Sequence, residues 1–348
     1  MGLARTGLAD PAFHLHARGL QHLARGAPPP ASLDRRALLR ASGLGFLAAL
    51  LLPAAGFVSP ARAALPVSEV AEGVYVRFGV HEEVTAANCG AIANIGFIVG
   101  AESVAVIDTG SSHNEGAALR AAVAAVTDKP ISHVVNTHVH FDHCFGNDAF
   151  AGLGVPIIGH KNLPRALADR GGFYSELLSG LCPDFAGTRV VPPGETVAGS
   201  RDIDLGDRPL RLTARPTAHT NTDLTVFDAR TGTLWAGDLI FAERLPTLDG
   251  SINGWLAVLD DLLPADVRQV VPGHGAVSDG RAALAAERAY LEALRDGVRQ
   301  ALAEDLDIPE TLARLDSTDW PGWPRDWQVV ENVHGRNIVS AYTELEWE

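Results

Sequence analysis

Residues 136–144 read NTHVHFDHC, which places His138, His140, Asp142 and His143 on one short stretch. Imidazole and carboxylate are the side chains that ligate divalent ions at neutral pH. In an extended loop His138 and His140, two apart, project to the same side and can grip one ion. Asp142 and His143, adjacent and pointing apart, can turn toward a second. Composition alone yields an HxHxDH pattern in roughly one chain in a thousand, so the stretch is read as half of a two-metal site whose other ligands lie elsewhere.

Three candidates each follow a predicted strand: His219 after RLTARPTA, Asp238 after TLWAG, and His274 in the turn PGHG after RQVV. Their shared placement puts them on one rim, where loops point side chains into a common cleft. Five imidazoles and two carboxylates are a sensible inventory for two zinc ions about 3.5 Å apart. The assignment gives His138, His140 and His219 to the first ion, and Asp142, His143 and His274 to the second, with Asp238 bridging.

The elements that must position these ligands are legible as alternating apolar runs. GVYVRFGV, NIGFIVG and SVAVIDTG read as early strands, EGAALRAAVAAVTD (115–128) has helical spacing, and a strand at 131–136 follows. VPIIGH (155–160) reads as a further strand, and NLPRALADRGGFYSELLSG as helical or irregular. A second strand-rich block runs through RVVPPGETV, RDIDLGDRPLRLTARPT, DLTVFDART and GTLWAGDLIF, and VLDDLLPADVRQVVPGHG repeats the helix and strand order. Two similar half-sheets with helices outside describe a four-layer α/β/β/α sandwich. Beyond it, DGRAALAAERAYLEALRDGVRQALAED is an amphipathic helix, and the Trp- and Pro-rich DSTDWPGWPRDW leads to a last helix near 332–347. The tail (276–348) is read as packing on the core, within one domain spanning 65–348.

THVHFDH, AHT, AGD and PGHG, in this order, resemble the metallo-β-lactamase superfamily over residues 70–275. The resemblance implies the αββα fold, the ligand roles given above, and a hydroxide bridging two metals. An Asp at position 238 is similar to the glyoxalase II-like hydrolases, whereas most true β-lactamases lack a carboxylate bridge there. ANIGFIVG, AVIDTG, HTNTDLTV, TLWAGDLIFAERLPTLDGSINGW and VVPGHG together resemble the SoxH-like proteins, the quinoprotein relay system zinc metallohydrolases. That likeness implies an exported enzyme associated with periplasmic quinoprotein oxidation.

The chemistry such a site permits is hydrolysis of an ester, thioester, lactone or amide in a small-molecule substrate. Asp142 is the expected catalytic residue, orienting the nucleophile and passing its proton to the leaving group. Asp108 in IDTG ends a strand beneath the rim, where it either orients a ligand imidazole or caps a turn. Cys144 is read as a buried thiol. His81, His113, His133, His160 and His334 have no partner at ligand spacing. The loops around Glu82, Tyr174 and Leu248 to Trp255 are expected to meet the substrate.

Residues 1–64 read as a leader. The basic segment DRRALLR, the apolar run GLGFLAALLLPAAGFV and an A-x-A site at Ala61 and Ala63 follow the plan of a secretory signal. The paired Arg35 and Arg36 resemble a twin-arginine signal, so the expected location is periplasmic, with no stable membrane span after cleavage. Residues 1–33 are assigned no fold. Losing the leader's seven basic and two acidic residues takes the formal charge from -14 to about -19, a surface that repels nucleic acid and suits a basic redox partner. Cys89, Cys144 and Cys182 allow at most one internal bridge, Cys89 to Cys182 being conceivable. Two rival readings stand beside the hydrolase: a mononuclear Fe2+ dioxygenase acting on persulfides, and a non-catalytic metal-binding accessory factor of a redox relay.

Overall fold

A computed structural model describes residues 65–348 apart from 265, 324, 326 and 329–331. The leader, its twin-arginine segment and its cleavage site lie outside the described residues.

The first sheet runs in chain order through β1 (Ser68–Ala71), β2 (Val74–Arg77), β3 (Ile95–Val99), β4 (Val104–Ile107), β5 (Ile131–Val135), β6 (Ile157–His160) and β7 (Glu195–Val197). It is antiparallel as far as β4 and parallel beyond. The second sheet has the spatial order β12 (Gln269–His274), β11 (Thr233–Phe241), β10 (Leu224–Asp228), β9 (Pro209–Ala214), β8 (Ser200–Asp204). Only its β11–β12 pair is parallel. Parallel neighbours need a crossover, and helices supply it: α1 (His113–Val126) before β5, α3 (Leu163–Leu181) before β7, and α4 (Ile252–Asp261) before β12. A single turn, α2 (Phe141–Cys144), follows β5.

Val76, Ile98, Ile107 and Val135 of the first sheet meet Leu212, Val226, Trp235 and Val271 of the second in a shared core. The outer face of the first sheet, with Phe97, Val106 and Val134, packs on Leu119, Ala122 and Val123 of α1. The outer face of the second is covered by α4, α5 (Arg281–Ala303) and α7 (Val333–Leu345). Strand β11 is therefore buried at every position, as expected for a strand covered on both faces. These are the four layers of the αββα sandwich.

Several details depart from the sequence reading. The half-sheets are unequal, seven strands against five, because the β1–β2 hairpin and β7 extend the first. Of RVVPPGETV only Glu195–Val197 is strand, its two prolines having no N–H to offer a ladder. His274 ends β12 instead of sitting in a turn. A helix not anticipated, α6 (Ile308–Leu315), precedes the Trp-rich connector; Asp307 and Glu310 form a capping box at its start. Among the described residues no helix is long and apolar enough to cross a membrane.

Candidate metal centre

All seven candidate ligands converge: four follow β5, His219 lies in the loop after β9, and His274 ends β12, while Asp238 sits inside β11 instead of after a strand as expected. His138, His140, His219 and Asp238 form one group, and Asp142, His143 and His274 another, with the ligand atoms of each group within 4.8 Å of one another. In the first group His140 Nδ1 lies 3.0 Å from both His138 Nε2 and His219 Nε2. In the second, Asp142 Oδ2 lies 3.5 Å from His274 Nε2 and 3.7 Å from His143 Nε2. Asp238 stands between them: Oδ1 is 3.0 Å from His143 Nε2, and Oδ2 is 3.3 Å from His274 Nε2 and 3.4 Å from His219 Nε2.

Local backbone explains how these side chains turn inward. After β5 the chain bends at His138 and Val139 instead of running extended as expected, passes through extended His140 and enters α2, whose single turn presents Asp142 and His143. The pairing of β11 with β12 slips on both sides of Gly237, which has φ +55°, just before Asp238. Facing it, Gly273 leaves room that a Cβ would take from Asp238 Oδ1.

Each imidazole spends one nitrogen on the protein and turns the other toward its neighbours. His219 Nδ1 donates to the Thr247 carbonyl at 2.6 Å, and His274 Nδ1 to the Ile92 carbonyl at 2.9 Å. His143 Nδ1 donates to Asp108 Oδ2 at 2.8 Å, and His140 Nε2 to Asp249 Oδ2 at 3.0 Å. His138 Nδ1 donates to Thr137 Oγ1 at 3.0 Å, whose hydroxyl in turn donates to Asp108 Oδ2 at 2.7 Å. Such outward bonds select the tautomer that leaves the inward nitrogen a lone pair.

The charges agree with that tautomer for two of the rings. Burial, reinforced for His138 by the other rings, holds His138 well below its usual range and pushes His219 down to about 3. Burial also acts to lower His143, but Asp238, Asp142 and Asp108 outweigh it and hold the ring well above its usual range. Burial would raise Asp238, yet His274, His143 and His138 keep it well below the carboxylate range.

The residues fit a pair of metal ions. His143 Nε2 and Asp238 Oδ1 are buried and only 3.0 Å apart, but neither makes a hydrogen bond. Ligands at 2.0–2.1 Å from a tetrahedral ion stand roughly 3.3 Å from one another, and the 3.0 to 3.7 Å separations of neighbouring inward atoms bracket that spacing. A site of imidazole nitrogens and carboxylate oxygens suits divalent transition metals, zinc and iron among them.

Several supporting residues carry no motif. Asp249 binds His140 and is clamped by Arg170. Tyr174 and Trp255, expected to meet the substrate, are instead buried behind the rings: Tyr174 packs on Phe141 with centroids 5.4 Å apart, and Trp255 on His219 at 5.3 Å. The pocket that opens onto Asp142, Asp238 and His274 is walled by Glu83, Phe241, Arg244 and Arg336. Arg336 comes from α7, so the tail does more than pack on the core.

The remaining candidates lie apart. The Cys144 thiol donates to the His140 carbonyl at 3.2 Å and joins neither ligand group. Cys89 and Cys182 are free thiols, and burial together with the neighbouring Cys89 pushes Cys182 up to about 12. His113 meets Asp148, His81 faces Glu243, His133 meets Ser132, His160 accepts from the Asn162 N–H, and His334 is buried in the tail.

An αββα sandwich with a buried His/Asp cluster at one edge defines a class of metalloprotein fold. The profile of the Metallo-beta-lactamase superfamily matches residues 90–274, more than half of the chain. The chain belongs to the metallo-beta-lactamase superfamily and is a metal-dependent hydrolase of that fold. Among solved structures it is similar to a metallo-beta-lactamase from Pontibacter korlensis (TM-score 0.53, 20% identity, covering 66% of this chain and 99% of that one). It is also similar to a metallo-beta-lactamase from Hirschia baltica (TM-score 0.52, 21% identity, 66% and 97%). A stereoselective inverting sec-alkylsulfatase from Pseudomonas sp. covers more of the chain, 81%, with TM-score 0.61 and 17% identity, while the chain spans 50% of its length. At these identities the likeness is one of fold. No curated protein matches the chain in sequence.

Proposed function

We propose that the protein is an exported binuclear zinc hydrolase that cleaves an ester, thioester, lactone or amide bond in a small molecule, acting beside a periplasmic quinoprotein system. The observation that carries this reading is the pairing of two ligand groups through Asp238. A mononuclear Fe2+ site would need only one of them, and the second would then be a buried group of rings and carboxylates without an ion. The export and quinoprotein parts rest on the twin-arginine segment, the acidic mature charge and the SoxH-like motifs.

Bound there, two zinc ions supply a water of lowered pKa and polarise the substrate carbonyl oxygen. Asp142 lies on the pocket wall with its carboxylate facing His274. Asp142 orients the attacking water, accepts its proton on a carboxylate oxygen and delivers it to the leaving atom. The water oxygen bonds to carbon, the bond from carbon to the leaving atom breaks, and the proton ends on that atom. Asp108 and Asp249 hold His143 and His140 in the orientation and tautomer the site needs.

Metal analysis of freshly purified protein, followed by a panel of thioesters, lactones, β-lactams and a secondary alkyl sulfate, tests the proposal. The sulfate enters because one neighbour of this fold is a sec-alkylsulfatase. Two zinc ions per chain and turnover of one class are expected. One iron per chain with consumption of a persulfide would overturn it. A folded Asp142→Ala variant that lost turnover yet kept its cellular role would instead assign the accessory function.

A further inference from the structure

Among the described residues three arginines, Arg170, Arg208 and Arg244, are buried and Arg336 is half-buried, and their surroundings differ in one respect. Arg208 meets Asp228 at 2.6 Å and the carbonyls of Val99 and Glu72, and Arg170 is held by Asp249. Arg244 and Arg336, which both line the metal pocket, have no such counterion among the described residues. Arg244 is 6% exposed, and its side chain donates from Nη1 to the Glu82 carbonyl at 3.1 Å, its one side-chain hydrogen bond among the described residues. Its Nε is buried and unpartnered, as is the Nε of Arg336. Among the described residues no carboxylate oxygen lies within 4.0 Å of either guanidinium. Glu83 stands on the same wall without pairing to either, and its own Oε1 is buried and unpartnered.

Glu83 is the strongest countercharge that Arg244 and Arg336 both feel, yet one carboxylate in contact with neither leaves two largely desolvated cations undercompensated, which is costly. Burial acts first to lower the pKa of each, Glu83 only partly offsets it for both, and Arg244 further lowers Arg336. The nearby Asp142 and Asp238 do not neutralise them, because in the proposed site those carboxylates are committed to the metals. A guanidinium presents a planar fork of donors that matches an oxyanion.

We propose that Arg244 and Arg336 form an oxyanion-binding pair on the wall of the metal pocket, so that the substrate is an anion, a carboxylate or sulfate group being held there while the bond to be cleaved lies against Asp142 and His274. The substrate clause rests on the hydrolase reading; the anion site does not. Arg336 lies in α7, beyond residues 90–274 matched by the family profile, so the tail sets the specificity of this chain.

The experiment has two arms on the full chain. In the first, succinate and sulfate are titrated calorimetrically into the protein as purified, and Arg336→Gln is expected to weaken binding of at least one by about tenfold or more. Arg336→Lys should recover part of it. Arg299→Ala, a surface change on α5, should leave binding as in the parent. In the second arm, kcat/KM is compared for p-nitrophenyl hemisuccinate and p-nitrophenyl acetate on the zinc-loaded chain, and Arg336→Gln should lower the anionic-to-neutral ratio by a similar factor. Equal binding by parent and Arg336→Gln, or no binding by either, overturns the oxyanion pair. Arg336-dependent binding with no hydrolysis of either ester would keep the anion site and sink the hydrolase reading instead.

Discussion

The side chain of Asn337, on the last helix, accepts a hydrogen bond from the Leu248 N–H at 2.9 Å and donates one to the Pro246 carbonyl at 2.7 Å. The loop it holds also carries Thr247, whose carbonyl takes the His219 proton, and Asp249, which takes that of His140. The tail therefore steadies two ligand rings at one remove. Asn337→Ala leaves two buried backbone groups unpaired, at about 1–3 kcal/mol each. Denaturant unfolding should show a loss of that order, and chelator competition should show weaker zinc binding. Unchanged zinc affinity would break the link between tail and site.

Asp249 makes the same point from the ligand side. Asp249→Asn keeps the shape but removes the charge that His140 and the buried Arg170 face. Partners of this kind typically contribute 10–100-fold in metal affinity. Zinc competition with a colorimetric chelator should register a loss in that range, confined to the ion held by His138, His140 and His219. Loss of both ions together would show that the two groups do not bind separately.

Gly273→Ala tests the bridge without touching a ligand. The added Cβ would overlap Asp238 Oδ1. Metal content should fall for both ions while the far-ultraviolet circular dichroism stays that of the parent. Full metal retention would mean that Asp238 does not occupy the position described.

The tail also predicts a pH dependence. His334 Nε2 donates to the Leu315 carbonyl at 3.1 Å, and its Nδ1 accepts from Tyr290 Oη at 2.8 Å. Asn337 Nδ2 donates to the same Tyr290 oxygen at 3.0 Å, so the chain of bonds requires a neutral ring. Burial lowers His334 from 6.5, only partly offset by Leu315 and Asp316. With the folded pKa depressed, the unfolded chain takes up the proton first as pH falls. Stability is complete above about pH 6.5 and is lost below it, at up to about 1.4 kcal/mol per pH unit. Urea unfolding from pH 7.5 to 5.5 should show this slope, and His334→Gln should flatten it. An identical slope in the variant would refute the assignment.

The loop ligands were legible because four of them fall on six consecutive positions, and the distant three because each follows a run that reads as strand, although Asp238 proves to lie within β11. The sheets were legible for the same reason: period-two and fully apolar runs announce strands whatever packs on them. Asp249, Arg170 and Asn337 were not, since each acts through a contact far away in sequence and none belongs to a pattern. Arg244 and Arg336 are a sharper case. A lone arginine in a sequence reads as a solvated surface charge, and only the approach of α7 to the loop after β11 brings half-buried Arg336 and buried Arg244 together beside the metal pocket. Helix α6 was overlooked despite its capping box, because eight residues carry too short a period to stand out beside the proline-rich connector. Tyr174 and Trp255 were misplaced because nearness to the rim in topology says nothing about which side of the rings an aromatic occupies.

The central claim is that seven side chains hold two ions on either side of Asp238. Anomalous diffraction from crystals of the zinc-loaded chain tests it directly. Two peaks about 3.5 Å apart are predicted, one among His138, His140 and His219 and the other among Asp142, His143 and His274, with Asp238 touching both. A single peak, or two that do not share Asp238, would contradict the account.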